Sequence, residues 1–325
     1  MRISILGGGG FLGRKIARNL ATHGTLGGKT VTALTLFDMT EPPQPDAAFP
    51  VASVAGDVAH LPDQAIPAGT DVVFHLAAVV SAQAEADYDL GRRVNLRGTD
   101  AVVDRCRALG TNPRVVFTSS VASFSGDQST TLPDNTRQIP GNSYGAQKAA
   151  AELILADASR RGFLDAVTLR LPTVIVRPGR PNKAASSFFS AIVREPLLGL
   201  DTDLPVGDDF AVWVCSPRRA VDWLLHAATM DTSALGLDRS IDPPGISTTV
   251  AHLLQALDTV APGASSHVKR VKDDAIAAIV SGWPPAFEAS RARALGFSAH
   301  EPVLDAIRAF VEDDLAATRA DRETA

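Results

Sequence analysis

MRISILGGGGFLG, residues 1–13, places a short apolar run, a glycine-rich turn and the opening of a helix in immediate succession. Arg2 to Leu6 reads as a strand buried on both faces of a parallel sheet. Gly7, Gly10 and Gly13 then form G-x-x-G-x-x-G, which permits a tight turn, close backbone approach to a pyrophosphate, and packing of the next helix against the sheet. That helix carries Leu12, Ile16 and Leu20 on one face, and its free N-terminal amides are expected to point at phosphates. The stretch reads as the entrance to a dinucleotide-binding domain.

The next strand supports this. Val31 to Phe37 ends in Asp38, about 25 residues past the last glycine, where an acidic residue grips the adenosine ribose. A carboxylate there accepts from both ribose hydroxyls, whereas a 2′-phosphate would bring like charges together at a cost of up to about 4 kcal/mol. Met39 follows, rather than an arginine that could receive a phosphate. The expected cofactor is therefore NAD.

Composition fits such an enzyme. The 325 residues are 45% hydrophobic, enough for a large α/β domain and a smaller one. A net charge of −5 without a basic block argues against nucleic acid or an anionic membrane as partner. Cys106 and Cys215 stand far apart and outside metal-ligand spacing, so they read as buried thiols in a reducing compartment. No apolar run approaches a membrane span, and the first strand begins at residue 2, so the expected location is cytoplasmic.

Further strands are expected at Val51–Val54, Val72–Leu76, Val115–Thr118 and Ala166–Arg170, alternating with an apolar-periodic helical region from Ala82 to Leu109 and a helix from Tyr144 to Arg161. This is the pattern of a Rossmann-type doubly wound parallel sheet. Residues 1–170 are expected to form the NAD-binding domain, with later segments returning to it. Residues 171–325, broken by VRPGRPNK, PVGDD, DPPG and GWPP, form mainly a smaller α/β substrate-binding lobe. A helical stripe of Val303, Ile307, Phe310 and Val311 closes the chain as ordinary core.

The chemistry points to SYGAQK at 143–148. Tyr144 and Lys148 stand one helical turn apart on one face. A phenol of ordinary pKa near 10 is a poor base, but a neighbouring ammonium favours the phenolate and suits Tyr144 to general acid–base work.

With GGGGFLG at 7–13, Asp38, GDV at 56–58, HLAA at 75–78, VNLRGT at 94–99, TSS at 118–120 and YGAQK at 144–148, the chain resembles the extended short-chain dehydrogenases/reductases over essentially its whole length. The resemblance implies that Phe11 and Leu12 join the glycines at the cofactor. It implies that Asp57 and Val58 flank the adenine, that Leu76, Ala77 and Ala78 run along the cofactor, and that Asn95 braces the neighbouring strand. It assigns Tyr144 as general base, Lys148 to the nicotinamide ribose as well as to the phenol, and Ser120 as the hydroxyl that orients the reacting oxygen. VASFSG after TSS is one residue longer than usual, which leaves Ser119 and Ser123 open as alternatives to Ser120.

Residues 171–196 and 212–221 most resemble members that oxidise short sugar acids. The implied reaction takes D-erythronate to its 2-keto acid with hydride transfer to NAD. Asn182, Lys183 and Arg218 are the candidate substrate contacts, with Ser186 and Ser187 nearby. Alternatives are a nucleotide-sugar epimerase or dehydratase that retains its NAD, and a non-catalytic NAD sensor; the intact Ser/Tyr/Lys set favours catalysis. The family also implies a homodimer, through Val102, Val103, Cys106, Leu153 and Ile154. No metal is expected.

Overall fold

In a computed structural model, residues 1–126, 130–180, 185–299 and 302–323 are described. They divide into two compact units. The first comprises residues 1–120, 143–170 and 221–241; the second comprises 121–142, 171–220 and 242–325. The first unit thus reclaims a late segment, but it gives up residues 121–142, which lie inside the expected span 1–170.

The first unit holds a seven-stranded sheet: β1 (Arg2–Leu6), β2 (Ala33–Asp38), β3 (Val51–Ala55), β4 (Val72–His75), β5 (Arg114–Ser120), β6 (Asp165–Leu171) and β7 (Ser240–Ile241). Their order is β3-β2-β1-β4-β5-β6-β7. The strands run parallel, with Leu6 opposite both Phe37 and His75. The sequence reverses direction across the sheet between β1 and β4, so the loops after these strands diverge and leave a crevice at their C-terminal ends. Leu6, Phe37, Val73, Val115 and Phe117 are buried in the core of this unit, as two-sided coverage of a parallel sheet requires.

Helix α1 (Phe11–His23) buries Ile16, Ala17 and Leu20. The region expected as one long helix is instead α2 (Ser81–Ala86), α3 (Tyr88–Gly91), a π-turn at Arg92–Arg97, and α4 (Gly98–Leu109). Glycines flank the π-turn for a packing reason: a Cβ at Gly91 would stand 2.6 Å from the Gln147 amide nitrogen, and one at Gly98 would stand 2.7 Å from a Val58 methyl. Helix α5 (Ser143–Arg160), rich in alanine, follows the expected span closely. Its first amide, Ser143 N, donates to Glu85 Oε2 of α2 at 2.7 Å.

The second unit has a three-stranded sheet in the order Ile246–Thr249, Ala211–Cys215, Thr173–Val174, and a parallel pair of Thr202–Leu204 with Val268–Arg270. Phe189, Ile192 and Val193 of the helix Ser187–Leu197 pack in its core with Leu253 and Leu257 and with Ile307 and Phe310 of the tail helix. Of the tail stripe, Ile307 and Phe310 are core and Val303 packs against it, whereas Val311 is half-buried.

Candidate functional site

The glycine turn joins β1 to α1 under tight steric limits. Gly7 has φ +89, a conformation open to glycine, and a Cβ there would stand 2.8 Å from Ala77 N. A Cβ on Gly13 would fall on the Gly7 carbonyl and 2.9 Å from Gly8 Cα, so the first turn of α1 approaches the turn more closely than a side chain permits. Gly7 N and Gly8 N both donate to Phe37 O, which fastens the turn to β2. These bare backbone surfaces are what a pyrophosphate needs, and the turn leads into a helix with no side-chain cap on its first amides.

Beside the turn lies a cavity of about 470 Å³, a volume suited to part of a dinucleotide. Gly7, Gly10, Asp38, Asp57, Val58, Leu76, Ala77 and Ala78 line it, together with Met39, Gly56, Val79, Gln83, Leu90, Arg93 and Val94. Phe11, Leu12 and Gly13 stand in the first turn of α1. Asp38, at the end of β2, accepts from Gly9 N at 2.9 Å and from Met39 N at 2.8 Å, so one side chain holds the glycine turn and faces the cavity. Met39 is exposed and offers no cation to a 2′-phosphate. Asp57 accepts from Ala59 N and pairs with Arg93. Asp38→Ala is expected to narrow the preference for NAD over NADP by about tenfold or more, through loss of the like-charge penalty. An unchanged ratio of kcat/KM for the two cofactors would contradict that role.

At the neighbouring strand ends, Lys148 is buried on α5. Its Nζ donates to the Thr118 carbonyl of β5 at 2.8 Å, lies 4.5 Å from the centre of the Phe117 ring, and lies 5.7 Å from the centre of the Tyr144 ring. Burial lowers its pKa from the lysine norm to about 7, against the opposing pull of the Glu152 carboxylate. Tyr144 and Lys148 thus share a helix face as their spacing predicts. Ser120 ends β5 on the same side of the pleat as Thr118, two residues earlier. Ser119 points elsewhere: it is buried and donates to Glu152. Ser123 is buried in a 3-10 turn of the second unit.

Asn95 lies in the π-turn with both ends of its amide engaged. Its Oδ1 accepts from Val79 N at 2.9 Å, and its Nδ2 donates to Val79 O at 3.1 Å and Gln147 Oε1 at 2.7 Å. It therefore braces the loop after β4 and the helix carrying Tyr144, with both amide hydrogens committed. His75 is also buried: desolvation, then the Lys148 charge, lowers its pKa to about 3. Thr99 Oγ1 donates to Asn95 O at 2.9 Å, so at 3.1 Å it is the acceptor for His75 Nε2–H.

Sequence reasoning missed the environment of Lys148. The available signal was spacing: Glu152 follows Lys148 by one helical turn, on the same face. Glu152 accepts from Arg170 Nε at 2.9 Å and Ser240 Oγ at 2.8 Å as well as from Ser119.

In the second unit, Arg218 is forked onto two carboxylates, Asp313 at 2.8 and 2.5 Å and Glu312 at 2.8 Å, so a third carboxylate would have to compete with both. The other predicted substrate contacts, Asn182 and Lys183, lie outside the described residues. Two of the expected pairing residues, Val102 and Cys106, are fully buried within the first unit's own core, and the Cys106 thiol is pushed up to about 12 by that burial. They are spent on packing inside the unit, whereas Leu153 is 71% exposed. Both cysteines are buried thiols outside any disulfide. Among the described residues no cluster suits a metal ion, and no helix is long and apolar enough to cross a membrane.

Comparison with known proteins agrees with the cofactor geometry. The chain is 47% identical to a D-erythronate dehydrogenase of Cupriavidus necator over 96% of its own length and 98% of the relative's. It is 38% identical to another of that name from Haemophilus influenzae, over 97% and 100%. Among solved structures, one described as a nucleoside-diphosphate-sugar epimerase from Agrobacterium tumefaciens superposes with a TM-score of 0.92 at 43% identity, covering 97% of this chain and 95% of that one. The model of the NAD dependent epimerase/dehydratase family matches residues 3–214, which include the glycine turn, Asp38, the TSS strand and the Tyr144/Lys148 helix, and the chain belongs to that family.

Proposed function

We propose that the protein is an NAD-dependent dehydrogenase that oxidises a short sugar acid, D-erythronate, to its 2-keto acid. The observation that carries this reading is near-complete coverage of two D-erythronate dehydrogenases, at 47% and 38% identity. The buried Lys148 beside Tyr144 supports it. Gly7, Gly10 and the N-terminus of α1 would hold the pyrophosphate, Asp38 the adenosine ribose, and Asp57 and Val58 the adenine edge. Bound NAD supplies the hydride acceptor.

Tyr144 takes the proton of the substrate hydroxyl as its carbon is oxidised, and Lys148 stabilises the phenolate that does so. Ser120 holds the reacting oxygen in line. Asn95 acts by bracing, through the hydrogen bonds that its amide makes to Val79 and Gln147. We assign the substrate carboxylate and hydroxyls to Lys183 and Asn182, and give Arg218 no direct substrate contact because Glu312 and Asp313 already hold its guanidinium.

The test is NADH formation at 340 nm with D-erythronate, L-threonate, related aldonates and UDP-sugars. Saturable reduction of NAD with D-erythronate supports the reading. The description of the Agrobacterium structure favours a second one, an epimerase that retains its cofactor. Silence on the acids, with NAD carried through purification and conversion of a nucleotide sugar, would select it.

We also infer a homodimer in the cytoplasm, with the exposed Leu153 of α5 in the shared face. Light scattering at micromolar concentration is expected to give twice the chain mass. A monomeric mass would overturn the dimer.

A further inference from the structure

We propose that Glu152 is a positioning residue for the reaction: its buried carboxylate, one turn beyond Lys148 on α5, keeps the Lys148 ammonium charged and held against β5. This rests on the dehydrogenase reading only for its kinetic consequence.

The geometry is confined to the first unit. Glu152 is 3% exposed and Lys148 is 2% exposed, so neither charge is shielded by water. Residues four apart on a helix stand about 5–6 Å apart at Cβ. The carboxylate is itself fixed on three sides, by Ser119 of β5, Arg170 of β6 and Ser240 of β7. A group tied to three strands cannot swing away from the helix that carries it, so its field at Lys148 is permanent.

The other neighbours of Lys148 cannot replace that field. From β5 come the Thr118 carbonyl, which accepts one hydrogen bond, and the Phe117 ring. From β4 comes His75, which is neutral at physiological pH and would oppose the ammonium if protonated. From α5 itself comes Tyr144, whose phenolate is the species that Lys148 is there to stabilise. Beyond Glu152, Arg170 of β6 is a cation held on that carboxylate. Glu152 is therefore the permanent negative charge of this set.

Glu152 also explains why Ser119 does not compete with Ser120. Its hydroxyl is committed to the carboxylate, on the opposite side of the β5 pleat from Thr118 and Ser120.

The proposal is tested on full-length protein by titrating the lysine side chains with 13Cε NMR. The chain has six lysines, Lys15, Lys29, Lys148, Lys183, Lys269 and Lys272, and Lys148→Met identifies the resonance in question. Glu152→Gln is expected to lower the Lys148 midpoint by about one unit or more, a tenfold change in the protonation equilibrium. Ser240→Ala, which removes one hydrogen bond to the carboxylate and no charge, is expected to leave the midpoint in place even where it lowers Tm. Glu152→Asp keeps the charge and is expected to stay near wild type.

An unchanged midpoint in folded Glu152→Gln overturns the proposal, as does a fall in Glu152→Asp equal to that in Glu152→Gln. If leaving Arg170 unpaired prevents Glu152→Gln from folding, the double variant Glu152→Gln/Arg170→Met removes both buried charges together, and its midpoint must lie below that of Arg170→Met alone. The kinetic readout is the alkaline limb of kcat, expected to move to lower pH in Glu152→Gln because the ammonium is lost earlier. Since the NMR midpoint is read without turnover, a shifted midpoint with an unmoved limb would count against Lys148 acting on Tyr144, and not against Glu152 acting on Lys148.

Discussion

Tyr144→Phe is expected to lower kcat by about 10²–10⁴-fold, the range that a positioned general acid–base contributes, while NAD affinity stays within about twofold. The phenol ring lies 5.7 Å from Lys148 Nζ on the same helix face, and the substitution removes one oxygen without disturbing the ring's packing. Because the lost interaction is made as the proton moves, kcat and kcat/KM should fall together. NADH formation at 340 nm measures kcat, and quenching of tryptophan fluorescence on titration with NAD measures the affinity. Retention of more than about a tenth of wild-type kcat would remove Tyr144 from the mechanism. A parallel loss of NAD affinity would make its role structural.

Gly13→Ala carries the second large expectation. Its single added methyl would meet backbone atoms, the Gly7 carbonyl and Gly8 Cα, and backbone cannot swing aside as a flexible side chain does. Overpacking of this kind costs about 1–3 kcal/mol, so Tm should fall by several degrees. The strain is concentrated where α1 meets the glycine turn, and relief requires the helix to draw back from the pyrophosphate position. NAD affinity is therefore expected to fall by about tenfold or more, equivalent to about 1.4 kcal/mol. A variant with normal Tm and normal NAD affinity would show that α1 has room the geometry denies it. Gly110→Ala is the control: its Cβ meets nothing within 4 Å, so any cost there comes from its φ of +66 and should leave NAD binding intact.

These two residues show two kinds of legibility. The glycines were readable because their requirement is local: the turn between β1 and α1 spans a few consecutive residues, and its steric limits are set by backbone geometry. Tyr144 and Lys148 were readable for the same reason, since helical periodicity alone puts residues four apart on one face. The long helical region at 82–109 shows its apolar stripe in the sequence but not its break. Only the packing of Gly91 on Gln147 and of Gly98 on Val58 marks the π-turn, and those partners come from distant parts of the chain.

The cluster at Glu152 was not legible for the same physical reason, although its first link was present as spacing. Ser119, Arg170 and Ser240 lie on three strands whose adjacency is decided by sheet order rather than sequence order. Arg218 is the converse case. By composition it was a free cation for a substrate carboxylate, and only the return of the tail helix brings Glu312 and Asp313 onto it.

By itself, then, the sequence determined the strand–glycine turn–helix entrance, the acidic end of β2, the Tyr/Lys face of α5 and hence the dinucleotide-binding class. All of these follow from short-range backbone geometry and periodicity. Only folding brings Ser119 to Glu152, commits both amide hydrogens of Asn95 to bracing, turns Val102 and Cys106 inward, and assigns residues 121–142 to the second unit. Each of these depends on which distant groups are brought within hydrogen-bonding or van der Waals reach, and a linear chain carries no local signal of that proximity.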